Sequence, residues 1–378
     1  MMPRFFIDAL PILGEGGISN YIRPLIENLI EVQGASWGCE LFFRLGFRGR
    51  RRYLLDNWSR SGAGQGSVIR STRLPDRMVA KIWESVFSGI HLPTGSSRDV
   101  ILATTEIVPR SRGPRVGWFV YDLIPLKIPQ FFNGSCRRLR ATMQQRARRA
   151  DFIIALSECT RSDIVELLGY PEKKIVVVYP GTNIQPESCV ADLPVPPGTT
   201  RYILYLGALA LNKNVDGLLR IFARCIHDYR LDMNLILTGK DFCGPDYWKS
   251  LANRLGVADR VQFRGWVTDS EKETLLNGAT MLWQFSWYEG FGLPVLEAAS
   301  RGIPVLCSNR GALPEIIQNP DQEVDPADEA AAAARASDAL RSPSALSDWK
   351  ARGLRRAAEF TWAKSLHRLT SYIEAAIE

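Results

Sequence analysis

Histidine is scarce in this chain of 378 residues: there are three, His91, His227 and His367, and none belongs to a cluster of cysteines and histidines. A zinc site is therefore not supported. The seven cysteines, Cys39, Cys136, Cys159, Cys189, Cys225, Cys243 and Cys307, form no C-x-x-C pair and are odd in number, which suits reduced thiols rather than a disulfide framework. No uninterrupted apolar run of about 18 residues occurs, so no membrane-spanning helix is expected. Asp8 follows Phe5-Phe6-Ile7 too soon for a signal-peptide core, and a cytoplasmic protein is the expectation. No repeat of solenoid period is present. What remains is an ordinary globular composition, 46% hydrophobic and 23% charged with Gly 30 and Pro 22, long enough for two domains of about 150 residues each.

The net charge of +7 is unevenly placed. Residues 1–150 hold 23 Lys+Arg against 11 Asp+Glu, and residues 151–378 hold 24 against 29. The basic first half suggests attraction to a polyanion, either nucleic acid or an anionic membrane surface. Two arginine clusters, Arg48/Arg50/Arg51/Arg52 and Arg137/Arg138/Arg140/Arg146/Arg148/Arg149, supply the basic excess. Arg138, Arg146 and Arg149 share roughly one helical face, either a solvated surface or a membrane-docking one. No nucleic-acid module accompanies them, so nucleic acid is not the expected partner.

Apolar periodicity gives a strand at Arg4–Leu10, a Gly-rich turn around Gly14-Glu15-Gly16-Gly17 and a helix over Ile18–Val32. Further strands are expected at Val100–Thr104, Val116–Tyr121, Phe152–Leu156 and Ile175–Val178, interleaved with helices at Arg137–Ala150 and Thr160–Leu168. The Pro-rich segment Gly181–Thr200 reads as a linker. A second alternation then runs Tyr202–Leu206, helix Asn214–Asp228, Asn234–Thr238, helix Asp246–Leu255, Val261–Arg264, helix Ser270–Asn277, Met281–Phe285, helix Pro294–Arg301, Pro304–Cys307. Terminal helices are expected at Ala327–Leu340 and Trp362–Ile377. Such alternation predicts an α/β protein of two doubly wound, Rossmann-like domains, 1–190 and 200–361, with helix 362–378 returning to the first. Ligands of open parallel sheets bind beyond the carboxyl ends of the strands, so the expected site is a cleft between the two domains.

The most informative segment is Tyr288-Glu289-Gly290-Phe291-Gly292-Leu293-Pro294-Val295-Leu296-Glu297-Ala298. A strand runs into a loop with two glycines, and Pro294 sits where the first turn of a helix tolerates a missing N–H. Backbone amides of Phe291, Gly292 and Leu293 would point outward at the helix start, where the peptide dipoles favour a phosphate. Glu289 lies in the loop, and Glu297, about one turn into the helix, could accept hydrogen bonds from sugar hydroxyls. The bland reading, a strand–turn–helix with Glu297 solvated, stands beside this one. Lys213 follows the first strand and glycine of the second domain, where an ammonium could neutralise a diphosphate leaving group. In the first domain the fingerprint G-x-G-x-x-G fails at Ser19, so a nicotinamide cofactor is not supported. Asp122 follows a strand end, where its carboxylate either binds hydroxyls or caps the next turn.

The Glu289-x7-Glu297 segment closely resembles the motif of family 4 of the retaining glycosyltransferases, which have the GT-B fold. Tyr205-Leu206-Gly207 with Lys213-Asn214, then Val261-Gln262-Phe263-Arg264-Gly265-Trp266-Val267, Gly302-Ile303-Pro304-Val305 and Gly311-x-x-Pro314-Glu315 follow the family's order. Gly16-Gly17-Ile18-Ser19-Asn20-Tyr21 is similar to its N-terminal glycine loop. Tyr121-Asp122-Leu123-Ile124-Pro125-Leu126 is similar to the His-Asp-Leu-Ile-Pro signature of polysaccharide-building, often mannosyl-transferring members, with Tyr121 in place of the His.

The resemblance implies catalytic roles for Asp122, Lys213 and Glu289, with Glu289 by the transferred sugar. It implies donor binding by Gly16, Gly17, Gly207, Asn212, Lys213, Val267, Phe291, Gly292, Leu293 and Glu297, the last on the nucleotide ribose. Asn212 stands where the family commonly has Arg. The expected reaction moves a hexosyl unit, mannosyl by resemblance, from a nucleotide diphosphate sugar such as GDP-mannose to a glycan or lipid-linked glycan, with retention. No metal and no cofactor beyond the donor are expected. Lipid diphosphate acceptors would place the enzyme peripherally at the inner face of the cytoplasmic membrane. Two alternatives stay open, a GT-B nucleotide-sugar epimerase and a non-catalytic nucleotide-sugar-binding scaffold.

Overall fold

The computed structural model describes residues 4–14, 16–33, 37–44, 55–56, 58, 67–72, 78–79, 96–111, 113–182 and 201–377. The arginines 48, 50, 51 and 52 and most of the expected linker, from residue 183 to 200, lie outside the described residues. The chain divides into two compact units. The first comprises Met1–Leu126, Gly134–Gly181 and Thr361–Glu378, and the second Lys127–Asn133 and Thr182–Phe360.

In the first unit seven strands form one parallel sheet: β1 (Arg4–Asp8), β2 (Gly38–Arg44), β3 (Ser67–Thr72), β4 (Val100–Ala103), β5 (Arg115–Val120), β6 (Phe152–Ala155) and β7 (Ile175–Val177). Their order is β3-β2-β1-β4-β5-β6-β7, so the chain reverses its direction of travel across the sheet between β1 and β4. The central strands β4 and β6 are buried at every position, as unbroken apolar runs covered on both faces must be. The edge strand β3 is largely exposed. Helix Trp362–Ile377 belongs to this unit. Ser365 Oγ donates to the Tyr179 carbonyl at 2.5 Å, and Trp362 and Tyr372 pack against Tyr21 and Phe152.

The second unit repeats the plan with six parallel strands: β8 (Tyr202–Leu206), β9 (Asn234–Thr238), β10 (Val261–Gly265), β11 (Met281–Gln284), β12 (Val305–Ser308) and β13 (Glu323–Val324). The order is β10-β9-β8-β11-β12-β13, and the reversal falls between β8 and β11. Helix Val215–His227 buries Val215, Leu218, Leu219, Phe222 and Cys225, the i, i+3, i+4, i+7 spacing of a helix face against a sheet. Helix Asp269–Gly278 starts at a capping box between Thr268 and Glu271, which satisfies otherwise orphaned amides of its first turn. Two doubly wound sheets in one chain are the expected GT-B fold class.

Candidate functional site

In an open doubly wound sheet the ligand lies outside the carboxyl ends of the strands, where the strand order reverses. In the second unit that point lies between β8 and β11. The chain leaving β8 passes Gly207, a short 3-10 turn at Leu211–Lys213, and Asn214 at φ 56°, before helix Val215–His227 begins. The chain leaving β11 runs through Ser286 and Glu289 to Gly292, at φ 113°, which caps helix Leu293–Ala299. Lys213 and Glu289 therefore stand on neighbouring loops, and the Lys213 ammonium donates to both Glu289 oxygens at 2.8 Å. Side-chain exposures are 20% and 11%, so the pair is largely withdrawn from water.

Two further groups hold Glu289. Ser286 Oγ donates to Oε1 at 2.7 Å, and Gln284 Nε2 donates to Oε1 at 3.1 Å and to Ser286 Oγ at 3.0 Å. Neither residue stood out in the sequence, although an amide closing the apolar strand Met281-Leu282-Trp283 was a visible signal. The backbone of the loop is clamped as well. Trp287 N–H donates to the Asn212 carbonyl at 3.2 Å, Ala312 N–H to that of Glu289 at 3.0 Å, and Ser308 Oγ to that of Ser286 at 2.7 Å. Gly311, at φ 62°, passes so close that a Cβ there would lie 2.4 Å from the Glu289 carbonyl oxygen. Only glycine fits such a crossing. Burial, with the Glu289 charge as a lesser contribution, holds the Tyr205 phenol protonated well above its ordinary range.

The remaining donor-side residues are placed as follows. Asn212 contributes its backbone carbonyl to the clamp. Glu297 lies in helix Leu293–Ala299 and accepts from Lys272 Nζ at 3.1 Å, so a lysine of helix Asp269–Gly278, unsuspected from sequence, shares its charge. Phe291 is buried against Phe360, Leu293 opens the helix half-buried, and Val267 is half-buried just after β10. The carbonyl of Gly292 accepts the first helical bonds, from Val295 and Leu296, and Pro294 carries no N–H, so within the first turn it is the Leu293 amide that has no intrahelical partner.

In the first unit Gly17 opens helix Gly17–Gln33, and Gly16 sits at φ 99° with open space where a Cβ would stand. Asp122 follows β5 and lines a cavity of about 350 Å³ with Thr104, Thr105, Tyr121, Leu139 and Met143. Its Oδ1 accepts from the Ile124 N–H at 3.0 Å, so it does cap the following turn. Tyr121 donates to the Thr104 carbonyl at 2.6 Å, and burial raises its pKa well above the ordinary value. Its hydroxyl is thus committed to that carbonyl.

The arginine face requires correction. Helix Cys136–Ala147 ends before Arg149. Arg146 is 18% exposed beside Glu106 at 3.3 Å, and Arg149 donates to the Val108 carbonyl at 3.4 Å. Both are half-buried, whereas Arg137, Arg138, Arg140 and Arg148 are exposed. The helix packs through Leu139, Met143 and Ala147, which turns the side carrying Arg146 inward. No helix among the described residues is long and apolar enough to cross a membrane.

Comparison with known proteins adds the family. The description "Glycosyl transferases group 1" matches residues 194–356, and "Glycosyltransferase Family 4" matches residues 95–185. The chain belongs to family 4 of the glycosyltransferases. Within that family it is similar to O-antigen chain mannosyltransferase B of Escherichia coli, 32% identical over 249 residues, 64% of this chain and 65% of that protein. It is likewise 32% identical over 245 residues to the MMP alpha-(1->4)-mannosyltransferase of Mycolicibacterium hassiacum, 62% of this chain and 57% of that one. The matches thus span under two thirds of these relatives. Among solved structures, Anabaena Alr3699/HepE in complex with UDP and glucose shares the fold, with TM-score 0.72 at 17% identity over 99% of this chain and 100% of that one. The lipopolysaccharide outer core galactosyltransferase WaaB does so with TM-score 0.68 at 17% identity, over 99% of each chain.

Proposed function

We propose that this protein transfers a mannosyl unit from GDP-mannose to a glycan or lipid-linked glycan acceptor in surface polysaccharide assembly, with retention of anomeric configuration. The observation that carries the reading is the Lys213–Glu289 pair at the strand-order reversal of the second unit, within the segment matched by the family. The mannosyl assignment is supported by the names of the two relatives, both mannosyltransferases.

In the proposed reaction the bond from the sugar C1 to the diphosphate oxygen breaks and its electron pair departs with the diphosphate. Lys213 and the Leu293 amide at the start of the helix stabilise that growing negative charge. The acceptor hydroxyl oxygen bonds to C1 from the same face, and its proton passes to the leaving phosphate oxygen. Glu289 is not the covalent nucleophile in this reading: Lys213 donates to both of its oxygens and Ser286 and Gln284 to one of them, and each such bond lowers the carboxylate's nucleophilicity. It serves instead as an acceptor for a sugar hydroxyl, and Glu297 for the ribose. Charge stabilisation by Lys213 makes the reaction independent of added metal in this reading. Docking to the anionic inner face of the cytoplasmic membrane falls to the exposed arginines Arg137, Arg138, Arg140 and Arg148 rather than to Arg146 and Arg149.

A thermal-shift screen of GDP-, UDP- and dTDP-sugars, followed by donor-dependent labelling of a lipid extract with a chelator present, tests the reading. Stabilisation by GDP-mannose and labelled lipid-linked product support it. Donor hydrolysis or epimerisation without an acceptor would replace transfer by the epimerase reading. Binding without turnover would leave a scaffold.

A further inference from the structure

We propose that Gln284 and Ser286 are positioning residues, which grip the Glu289 carboxylate by one oxygen so that the other is presented to the donor's sugar; the inference rests on the transferase reading above. Lys213, Gln284 and Ser286 all donate to Oε1, while among the described residues Oε2 receives Lys213 alone. A carboxylate has about four lone-pair positions, two on each oxygen. Oε1 is therefore saturated, and Oε2 keeps room for one hydroxyl.

Ala312 holds the Glu289 carbonyl, and Asn212 and Ser308 hold Trp287 and Ser286 beside it, which leaves the side-chain torsions of Glu289, the carboxylate's own among them. That terminal torsion is broad and not confined by staggering, so only donors can hold it. Gln284, 2% exposed, and Ser286, fully buried, supply them from the strand end and the loop start. Packing does not account for an amide at residue 284. Its Oε1 is buried with no hydrogen-bond partner, a cost that leucine, of similar size, would not incur. Turning the amide over would set its oxygen against the carboxylate. The residue is thus in place for its N–H groups, which reach Ser286 and Glu289.

The decisive experiment is a double-mutant cycle read by steady-state kinetics and by calorimetry with GDP. Ser286→Ala removes one small hydroxyl, and Gln284→Met one amide. Each should lower kcat about tenfold to a hundredfold, the range for losing a hydrogen bond to a charged group, with the donor KM and the affinity for GDP changed less. In a Glu289→Gln background the same substitutions should add little, because residues acting through one group are not additive. If Gln284→Met does not fold, Ser286→Ala decides alone. A full, independent loss in the Glu289→Gln background, or an unchanged kcat in Ser286→Ala, overturns the positioning role while transfer by the unmodified protein keeps the wider reading intact. An unmodified protein that neither binds nor turns over any nucleotide sugar overturns both.

Discussion

The Lys213 ammonium lies 2.8 Å from each oxygen of Glu289, although the two residues are 76 positions apart in the chain. β8 and β11 are neighbours in the sheet, so the loops leaving their carboxyl ends meet. The ammonium and the carboxylate thus neutralise one another. In the proposed reaction the diphosphate would share Lys213 with Glu289.

Lys213→Ala should reduce kcat by roughly 10²–10³, the range for removing one group that stabilises transition-state charge. Affinity for GDP should fall less. Steady-state kinetics beside calorimetry separates the two quantities. A variant that loses affinity yet keeps its turnover at saturation would remove Lys213 from catalysis.

Glu297→Ala should weaken GDP binding by about 1.5–3 kcal/mol if its carboxylate accepts ribose hydroxyls. The same change leaves Lys272 with Asp269 at 3.8 Å in place of its 3.1 Å partner, and a cation so released near the nucleotide would offset part of that loss. Lys272→Ala is therefore the control. Were Glu297→Ala to bind GDP as well as the unmodified chain, the ribose assignment would be wrong.

Gly311→Ala places a Cβ 2.4 Å from the Glu289 carbonyl oxygen at a residue with φ 62°. The left-handed conformation alone costs a non-glycine residue about 1–2 kcal/mol, and the backbone contact adds to it. Thermal denaturation should show a drop of about 2–4 °C for each kcal/mol lost, with reduced turnover as the Glu289 loop is pushed aside. An unaltered melting temperature together with unaltered kcat would mean that the crossing does not hold the loop.

Replacing Arg137, Arg138, Arg140 and Arg148 by Glu should release the protein from acidic vesicles, since each basic residue near such a surface contributes about 1 kcal/mol. Arg146→Ala and Arg149→Ala should leave co-sedimentation nearly unchanged, because both side chains are half-buried against their own unit. Salt should weaken binding throughout. Equal, salt-insensitive binding to neutral and acidic vesicles would return the exposed arginines to a solvated helix face.

Most strands of both sheets were legible as short apolar runs between helical stretches, because a parallel strand covered on both faces must be apolar throughout. β2 and β3 escaped that reading. β3 is an edge strand with exposed Val68 and Ile69, so it has no buried run to detect, and β13 spans only Glu323–Val324. Helix Pro343–Ala357 was also missed. It buries only Trp349, Gly353 and Ala357, too sparse an apolar stripe to stand out beside its charges.

The sequence by itself determined the α/β alternation, the two glycine-bearing loops and the presence of Lys213, Glu289 and Glu297 near strand ends, because these are properties of residues close together in the chain. Tertiary structure alone decided which of them touch. The order β10-β9-β8-β11-β12-β13 is set by crossovers between distant segments, and it joins Lys213 to Glu289 while Glu297 pairs with Lys272. It likewise decided that Arg138 is exposed and Arg146 half-buried. Helical spacing assigns residues to a side of a helix, but which side is covered depends on the neighbours the fold brings to it.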